Sequence, residues 1–285
     1  MSGLNNPCAW LPQVAALAEE AGRKIMEIYT RGFNIEHKDD NSPLTEADTA
    51  AHHLINAGLN SLTPGLPVLS EEGADIAYAT RAQWRSYWLV DPLDGTREFI
   101  KRNGEFTVNI ALISDQRPVL GVVYVPVSGV GYYACTGRGA YRVAPGVAPQ
   151  AIKVRPWPGG HIAVVGSRSH RDESFDRFLG QFADYEIISM GSSLKFCLVA
   201  EGKADIYPRL GPTSEWDTAA AQCIVEEAGG KVLDLQLAPL RYNTKDSLLN
   251  PFFIVCGDTA HDWAKYLSRE IIAPAGGLGS PTFMR

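Results

Sequence analysis

The sequence predicts a layered α/β fold, with helices packed over sheets in several layers, and three patterns carry that prediction. Near the N-terminus, Leu11, Val14, Leu17, Ala18, Ala21, Ile25 and Ile28 recur at three- and four-residue steps, the spacing of an amphipathic helix. Runs at 106–114, 119–125 and 131–143 are β-patterned and broken by turn residues such as Asp115-Gln116-Arg117-Pro118 and Gly137-Arg138-Gly139, as an antiparallel meander is. Beyond residue 161, short apolar runs alternate with helical patterns.

In chain order, the first helix covers 10–29 and stops before Gly32. Thr45 reads as the N-cap of a second helix reaching about residue 62, with Asp48 at the third helical position, a capping-box spacing. Buried strands at 67–70 and 87–90 each end in acidic residues, and the meander follows. The stretch 145–160 holds four prolines and three glycines, the composition of a boundary between lobes. It divides an N-terminal α+β lobe, 1–150, from a C-terminal α/β lobe, 151–270, with 271–285 left as a loose tail. In the second lobe, strands are expected at 162–165, 185–189, 204–208, 231–233 and 251–256, and helices at 173–182, 193–200, 217–228 and 258–267.

Composition narrows the chemistry. A chain of 285 residues with 45% hydrophobic and 20% charged residues has the make-up of an ordinary folded protein. Its net charge of −6 argues against a partner made of nucleic-acid polymer, which is held by many Lys and Arg. No apolar run approaches the roughly 20 residues of a membrane span, and the N-terminus lacks the layout of a signal peptide, so a cytoplasmic location is the default. Cys8, Cys135, Cys197, Cys223 and Cys256 are odd in number and never paired as CxxC, and are expected to be reduced and mostly buried. The histidines show no metal-binding spacing, so any metal would be held by oxygen.

One segment stands out: Trp88-Leu89-Val90-Asp91-Pro92-Leu93-Asp94-Gly95-Thr96, an apolar strand that delivers two carboxylates three residues apart. Pro92 turns the chain so that Asp91, Asp94 and the Leu93 carbonyl can converge, and Gly95 permits close backbone approach. Hard cations such as Mg²⁺ take oxygen ligands from several segments, and two more are at hand in Glu71-Glu72 and in Asp217, although strand ends and helix starts also carry acids for capping.

These residues closely resemble the inositol monophosphatase family, whose hallmarks are an apolar-Asp-Pro-apolar-Asp-Gly-Thr segment, an upstream Glu-Glu pair and a downstream Trp-Asp-x-Ala-Ala segment, all present here in order. The branch it is most similar to is the CysQ-type 3′(2′),5′-bisphosphate nucleotidases, on Asp40-Asn41-Ser42-Pro43, Val68-Leu69-Ser70-Glu71-Glu72, the run from Lys101 to Asn109, and Gly191-Ser192-Ser193-Leu194-Lys195-Phe196-Cys197. The resemblance implies a five-layer α-β-α-β-α sandwich, as in inositol monophosphatase and fructose-1,6-bisphosphatase. It also implies metal ligation by Glu71, Asp91, the Leu93 carbonyl, Asp94 and Asp217, with two or three Mg²⁺ that Mn²⁺ can replace. Asp48 is the matching position for a carboxylate that holds a further metal or its water. Thr96, beside Glu71 in the family pattern, would help deprotonate the attacking water, with Glu72 behind.

For substrate, Gly95, Thr96 and the amides of Gly191, Ser192 and Ser193 are candidate phosphate contacts, with Lys195, Arg209, Ser169 and His170 as further contacts for a second phosphate or a base. Several cations suit a substrate with two phosphates, which points to adenosine 3′,5′-bisphosphate cut at its 3′ position, with 3′-phosphoadenylyl sulfate as a further substrate, in sulfur assimilation. Lithium sensitivity is implied by the family. An inositol monophosphatase, a sugar bisphosphatase, and a metal-dependent binding or regulatory protein stay open as alternatives. The partner implied is a small nucleotide, with no integral membrane association, peripheral contact with the inner membrane left open, and no oligomeric state implied.

Overall fold

Alternation of apolar residues along each strand sets the layers. In the computed structural model, which describes residues 6–33, 35–37, 43–167 and 173–267, a 3-10 turn at Pro7–Trp10 leads into α1 (Leu11–Arg31). The chain continues through an antiparallel pair, β1 (Ile35–His37) and β2 (Pro43–Thr45), into α2 (Glu46–Leu62). The first half then runs through β3 (Val68–Ser70), a 3-10 turn at Glu71–Gly73, α3 (Tyr78–Arg81), β4 (Ser86–Asp94) and α4 (Thr96–Ile100). The meander follows as β5 (Thr107–Ser114), β6 (Arg117–Val125), β7 (Val130–Cys135), β8 (Ala140–Val143) and β9 (Gln150–Ile152). The second half holds β10 (Ile162–Ser167), α5 (Glu173–Leu179), β11 (Tyr185–Met190), α6 (Leu194–Ala200) and β12 (Ile206–Arg209). It closes with α7 (Ala219–Glu227), β13 (Lys231–Asp234), β14 (Phe253–Cys256) and a 3-10 turn at Trp263–Tyr266.

Strands β3 to β9 form one sheet in sequence order, antiparallel except for the parallel β3–β4 pair. The second sheet has the order β11-β10-β12-β14-β13, with β10 parallel to both its neighbours and β14 antiparallel to both of its own. On the first sheet, Trp88, Val90, Ile110, Leu112 and Val122 face α1 and α2, while Leu89, Ala111, Ile113 and Val123 face the other way. That second face shares a core with α6, α7 and the Ala163, Val165, Tyr207 and Val255 side of the second sheet. Ile162, Val164, Ile206 and Ile254 point outward to Phe175, Phe178 and Leu179 of α5. Five layers result: α1 and α2, the first sheet, α6 and α7, the second sheet, and α5.

Among the described glycines, backbone comes nearest at Gly121. A Cβ at Gly121 on β6 would lie 2.2 Å from the Ala220 carbonyl oxygen, so the missing side chain is what lets α7 rest directly on the first sheet.

Several expectations are corrected. Cys8 and Cys135 are joined by a disulfide, and only Cys197, Cys223 and Cys256 of the described residues are free; the two partners lie 127 residues apart, a proximity that spacing cannot reveal. The expected helix over 258–267 is reduced to one 3-10 turn, because the Asp258 carbonyl accepts the Trp263 indole N–H at 2.7 Å in place of a helical amide and Asp262 is extended. The run 131–143 is two strands, parted by left-handed Gly137 and Gly139, whose amides both donate to Glu227 at 2.9 Å. The Pro- and Gly-rich stretch still supplies β9, which pairs with β8 and extends the first sheet. Residues 40–42, Ser169, His170 and the tail lie outside the described residues.

Candidate active site

The site is built at the end of β4, where strand regularity breaks. Asp91 pairs with Asn109 and Asp94 with Thr107, so three steps on β4 match two on β5 and one extra residue is accommodated as a bulge. Strict alternation would send Asp91 and Asp94 to opposite faces; the bulge re-aims Asp94, and Leu93 drops into the core beside Val90. Asp91, itself 1% exposed, accepts the Leu93 amide at 3.0 Å, which holds the turn at Pro92. Gly95 then adopts a left-handed φ of 92° and starts α4, with Thr96 as its first residue.

Asp217 arrives from the second half of the chain, in the segment just before α7 and not within the helix as expected, where its carboxylate accepts the Ser214 amide at 2.9 Å. Among the described residues, Asp91, Asp94 and Asp217 form an acidic cluster whose ligand oxygens lie within 4.8 Å of one another. Burial, then repulsion from Glu71, Asp94 and Asp217, pushes the Asp91 carboxyl well above the usual range. Asp217 is pushed up to about 7, by burial first and then by Asp94 and Glu71. Clustered carboxylates that all offer hard oxygen donors, two of them with raised proton affinity, fit a divalent cation. Glu71 lines the same cavity from the turn after β3, as does Leu93.

Asp48 has a double place. Its Oδ2 accepts the Thr45 amide at 2.8 Å and the Thr45 hydroxyl at 2.6 Å, completing the capping box of α2. Its Oδ1 accepts the Thr96 hydroxyl at 3.1 Å. The resemblance sets Thr96 beside Glu71; its hydroxyl lies 3.1 Å from Asp48 Oδ1 and 3.4 Å from the Leu93 carbonyl. Burial pushes the Asp48 carboxyl up, against the bonds from Thr45 and Thr96 that lower it.

Thr96, Glu71, Leu93 and the three clustered aspartates line a cavity of about 450 Å³ together with Gly95, Ser167, Gly191, Ser192, Lys195, Tyr207, Arg209 and Leu249. Lys195 and Arg209 put two cations on its wall. The Lys195 ammonium donates to the Ser192 carbonyl at 2.6 Å, and burial pushes its pKa down to about 8. Arg209 is braced by donating to the Thr213 hydroxyl at 2.6 Å and the Pro212 carbonyl at 2.8 Å.

The amides expected to be free for an anion are in use. Gly191 donates its N–H to Glu105 at 2.8 Å and Ser193 donates its own to Asp94 at 2.6 Å, so neither is open to a phosphate. Ser192 remains on the wall with a left-handed φ of 45°. Two groups without an assigned role join the site: Asn109 donates to Asp94 at 3.1 Å and Thr107 does so at 3.4 Å. Both sit in the Lys101 to Asn109 run, but only the β4–β5 register brings them opposite the acids.

Known proteins show the same frame. The inositol monophosphatase family model matches residues 10–271. The chain is 53% identical over 247 residues to the 3′(2′),5′-bisphosphate nucleotidase CysQ of Salmonella typhimurium, covering 86% of this chain and 98% of that protein. It is 40% identical over 256 residues to the CysQ of Aggregatibacter actinomycetemcomitans, covering 90% and 95%. The crystal structure of CysQ from Bacteroides thetaiotaomicron superposes with a TM-score of 0.77 at 45% identity, covering 87% of this chain and 97% of that one. An inositol monophosphatase of Thermotoga maritima shares the fold, with a TM-score of 0.75 at 23% identity, covering 93% and 98%. With the family model spanning most of its length and such relatives matched nearly end to end, the chain belongs to the inositol monophosphatase family.

Proposed function

We propose that this chain is a magnesium-dependent phosphomonoesterase that removes the 3′-phosphate of adenosine 3′,5′-bisphosphate, giving AMP and phosphate. One observation carries the reading: an acidic cluster, Thr96, whose hydroxyl donates to Asp48 behind it, and the cations Lys195 and Arg209 line a single cavity. The names of the bisphosphate nucleotidases to which it is similar support the choice of substrate.

Glu71, Asp91, Asp94, Asp217 and the Leu93 carbonyl would hold the cations, which when bound neutralise the ester oxygens and make a water acidic enough to attack. Thr96 donates its hydroxyl hydrogen bond to Asp48, so its oxygen lone pairs can accept a hydrogen bond from the attacking water, and as that water's proton passes to Thr96 the Thr96 proton passes to Asp48. The water oxygen bonds to phosphorus, the bond from phosphorus to O3′ breaks, and O3′ takes up a proton from solvent water. Lys195 and Arg209 would hold the phosphate that is not cut, a use that a substrate with one phosphate would lack. The same pocket would accept 3′-phosphoadenylyl sulfate, and either substrate would place the enzyme in sulfur assimilation.

No helix among the described residues is long and apolar enough to cross a membrane. The compartment we propose is the cytoplasm. The Cys8–Cys135 bond favours an oxidising one, and the thiol state of protein trapped by alkylation on extraction decides between them.

The test is phosphate release with and without Mg²⁺ from the bisphosphate nucleotide, inositol 1-phosphate and fructose 1,6-bisphosphate. The nucleotide should show the highest kcat/KM, and Asp94→Asn should abolish turnover while leaving a folded protein. Preference for inositol 1-phosphate would overturn the substrate, and turnover retained by D94N would overturn the chemistry.

A further inference from the structure

We infer that Ser193 is a positioning residue that sets the spacing of two acids from opposite lobes, and through it the affinity of the site for a divalent cation. Ser193 is 1% exposed at the start of α6. Its amide and its hydroxyl both lie 2.6 Å from the same oxygen of Asp94, Oδ2. Its hydroxyl also lies 2.8 Å from the backbone carbonyl of Asp217. A single side chain therefore touches the β4 acid and the segment that carries the acid preceding α7.

The remaining donors explain the direction of that hydroxyl. Asn109 donates Nδ2–H to the Ser193 oxygen at 2.8 Å and to Asp94 Oδ2 at 3.1 Å. With one lone pair of the serine oxygen filled by Asn109, its one proton is shared between Asp94 and the Asp217 carbonyl. The Asn109 Oδ1 is buried without a hydrogen-bond partner, so that amide is oriented by what it donates. Asp94 Oδ2 meets four donors in all, Thr107 at 3.4 Å being the last, which saturates it. Only Oδ1 is left to face a cation. Without this anchorage, repulsion from Asp91 and Asp217 would swing the Asp94 carboxylate away from the cluster.

The inference rests on the reading of these acids as cation ligands, and it differs from a role for Ser193 in holding substrate. If Ser193 held the nucleotide, Ser193→Ala would raise KM and leave cation affinity alone. As a support for Asp94, its removal weakens the cation first, even with no substrate present, by about 10- to 100-fold, the usual effect of deleting a group that orients a ligand.

The experiment is Mn²⁺ binding to the full chain, measured by calorimetry without substrate, for wild type, S193A, Ser193→Thr and D94N, with circular dichroism to confirm folding. S193A should lose about 10- to 100-fold in affinity and S193T should recover most of it. Should S193A fail to fold, Asn109→Ala, which removes the donor behind Ser193, should still weaken Mn²⁺ by at least a few-fold, roughly the low end of that range. A folded S193A, or failing that N109A, that binds Mn²⁺ as wild type does would overturn the inference while D94N remains weakened. If D94N also binds as wild type does, the reading of the acids as cation ligands falls, and the inference with it.

Discussion

Thr96 donates its hydroxyl proton to Asp48 at 3.1 Å, and Asp48 is itself fixed by the backbone and side chain of Thr45 at the head of α2. A helix-capping carboxylate thus sits one hydrogen bond from the group proposed to take a proton from water. Thr96→Val should lower kcat by about 10²- to 10⁴-fold, the usual share of general acid–base catalysis, while Mn²⁺ affinity stays near wild type. Thr96→Ser should keep most activity. Equal kcat for the valine and serine variants would remove Thr96 from the mechanism.

The metal-free protein should lose stability as pH rises. Asp217 has its folded-state pKa raised from 3.8 to about 7, and Glu215 has its own raised from 4.5 to about 7, in both cases chiefly by burial. Each group binds its proton more tightly when folded, so the stability this supplies is complete below the unfolded pKa and disappears as pH climbs through about 7. Melting of EDTA-dialysed protein, followed from about pH 5.5 to about 8, should therefore show a falling Tm. Mg²⁺ should stabilise more at the alkaline end, where the carboxylates are ionised to receive it. A melting temperature that rises with pH in EDTA would contradict the tighter proton binding that burial gives these two acids.

The Cys8–Cys135 bond closes a loop of 127 residues and ties the turn before α1 to β7. Closing a loop this long contributes roughly 2–4 kcal/mol. Reduction, or Cys8→Ser, should lower Tm by about 3–7 °C in a protein of this size. A reductant should then have no further effect on C8S. An unreduced melting curve that coincides with that of C8S would show that the bond does not form.

Much of the frame was legible in the residues themselves. Alternation along 106–125 marks the two faces of β5 and β6, three- and four-residue steps mark α1, and Thr45 with Asp48 marks the start of α2. Asp91 and Asp94 could be named because a carboxylate pair around a proline, followed by glycine, is a chemical device readable within one segment, whereas Asp217 was named through the family resemblance. What escaped depends on register and on long-range approach. The bulge between Asp91 and Asp94 exists only against β5, and the Asp94–Ser193 hydrogen bond spans 99 positions of the chain. The same bond turned an apparent anion-binding amide into a support for a carboxylate. Cysteines 127 positions apart carry no local sign of each other.

The spacing of the acids is also set from behind. Asp217 lies two residues ahead of α7, and α7 lies on β6 where the sheet has no side chain at Gly121. A single methyl group there would press on Ala220 and shift the helix as a unit, carrying the last acid out of register with the other two. The reactive centre therefore depends on a hydrogen atom it never meets, and damage to turnover at position 121 would come from a site that no inspection of the cavity would single out.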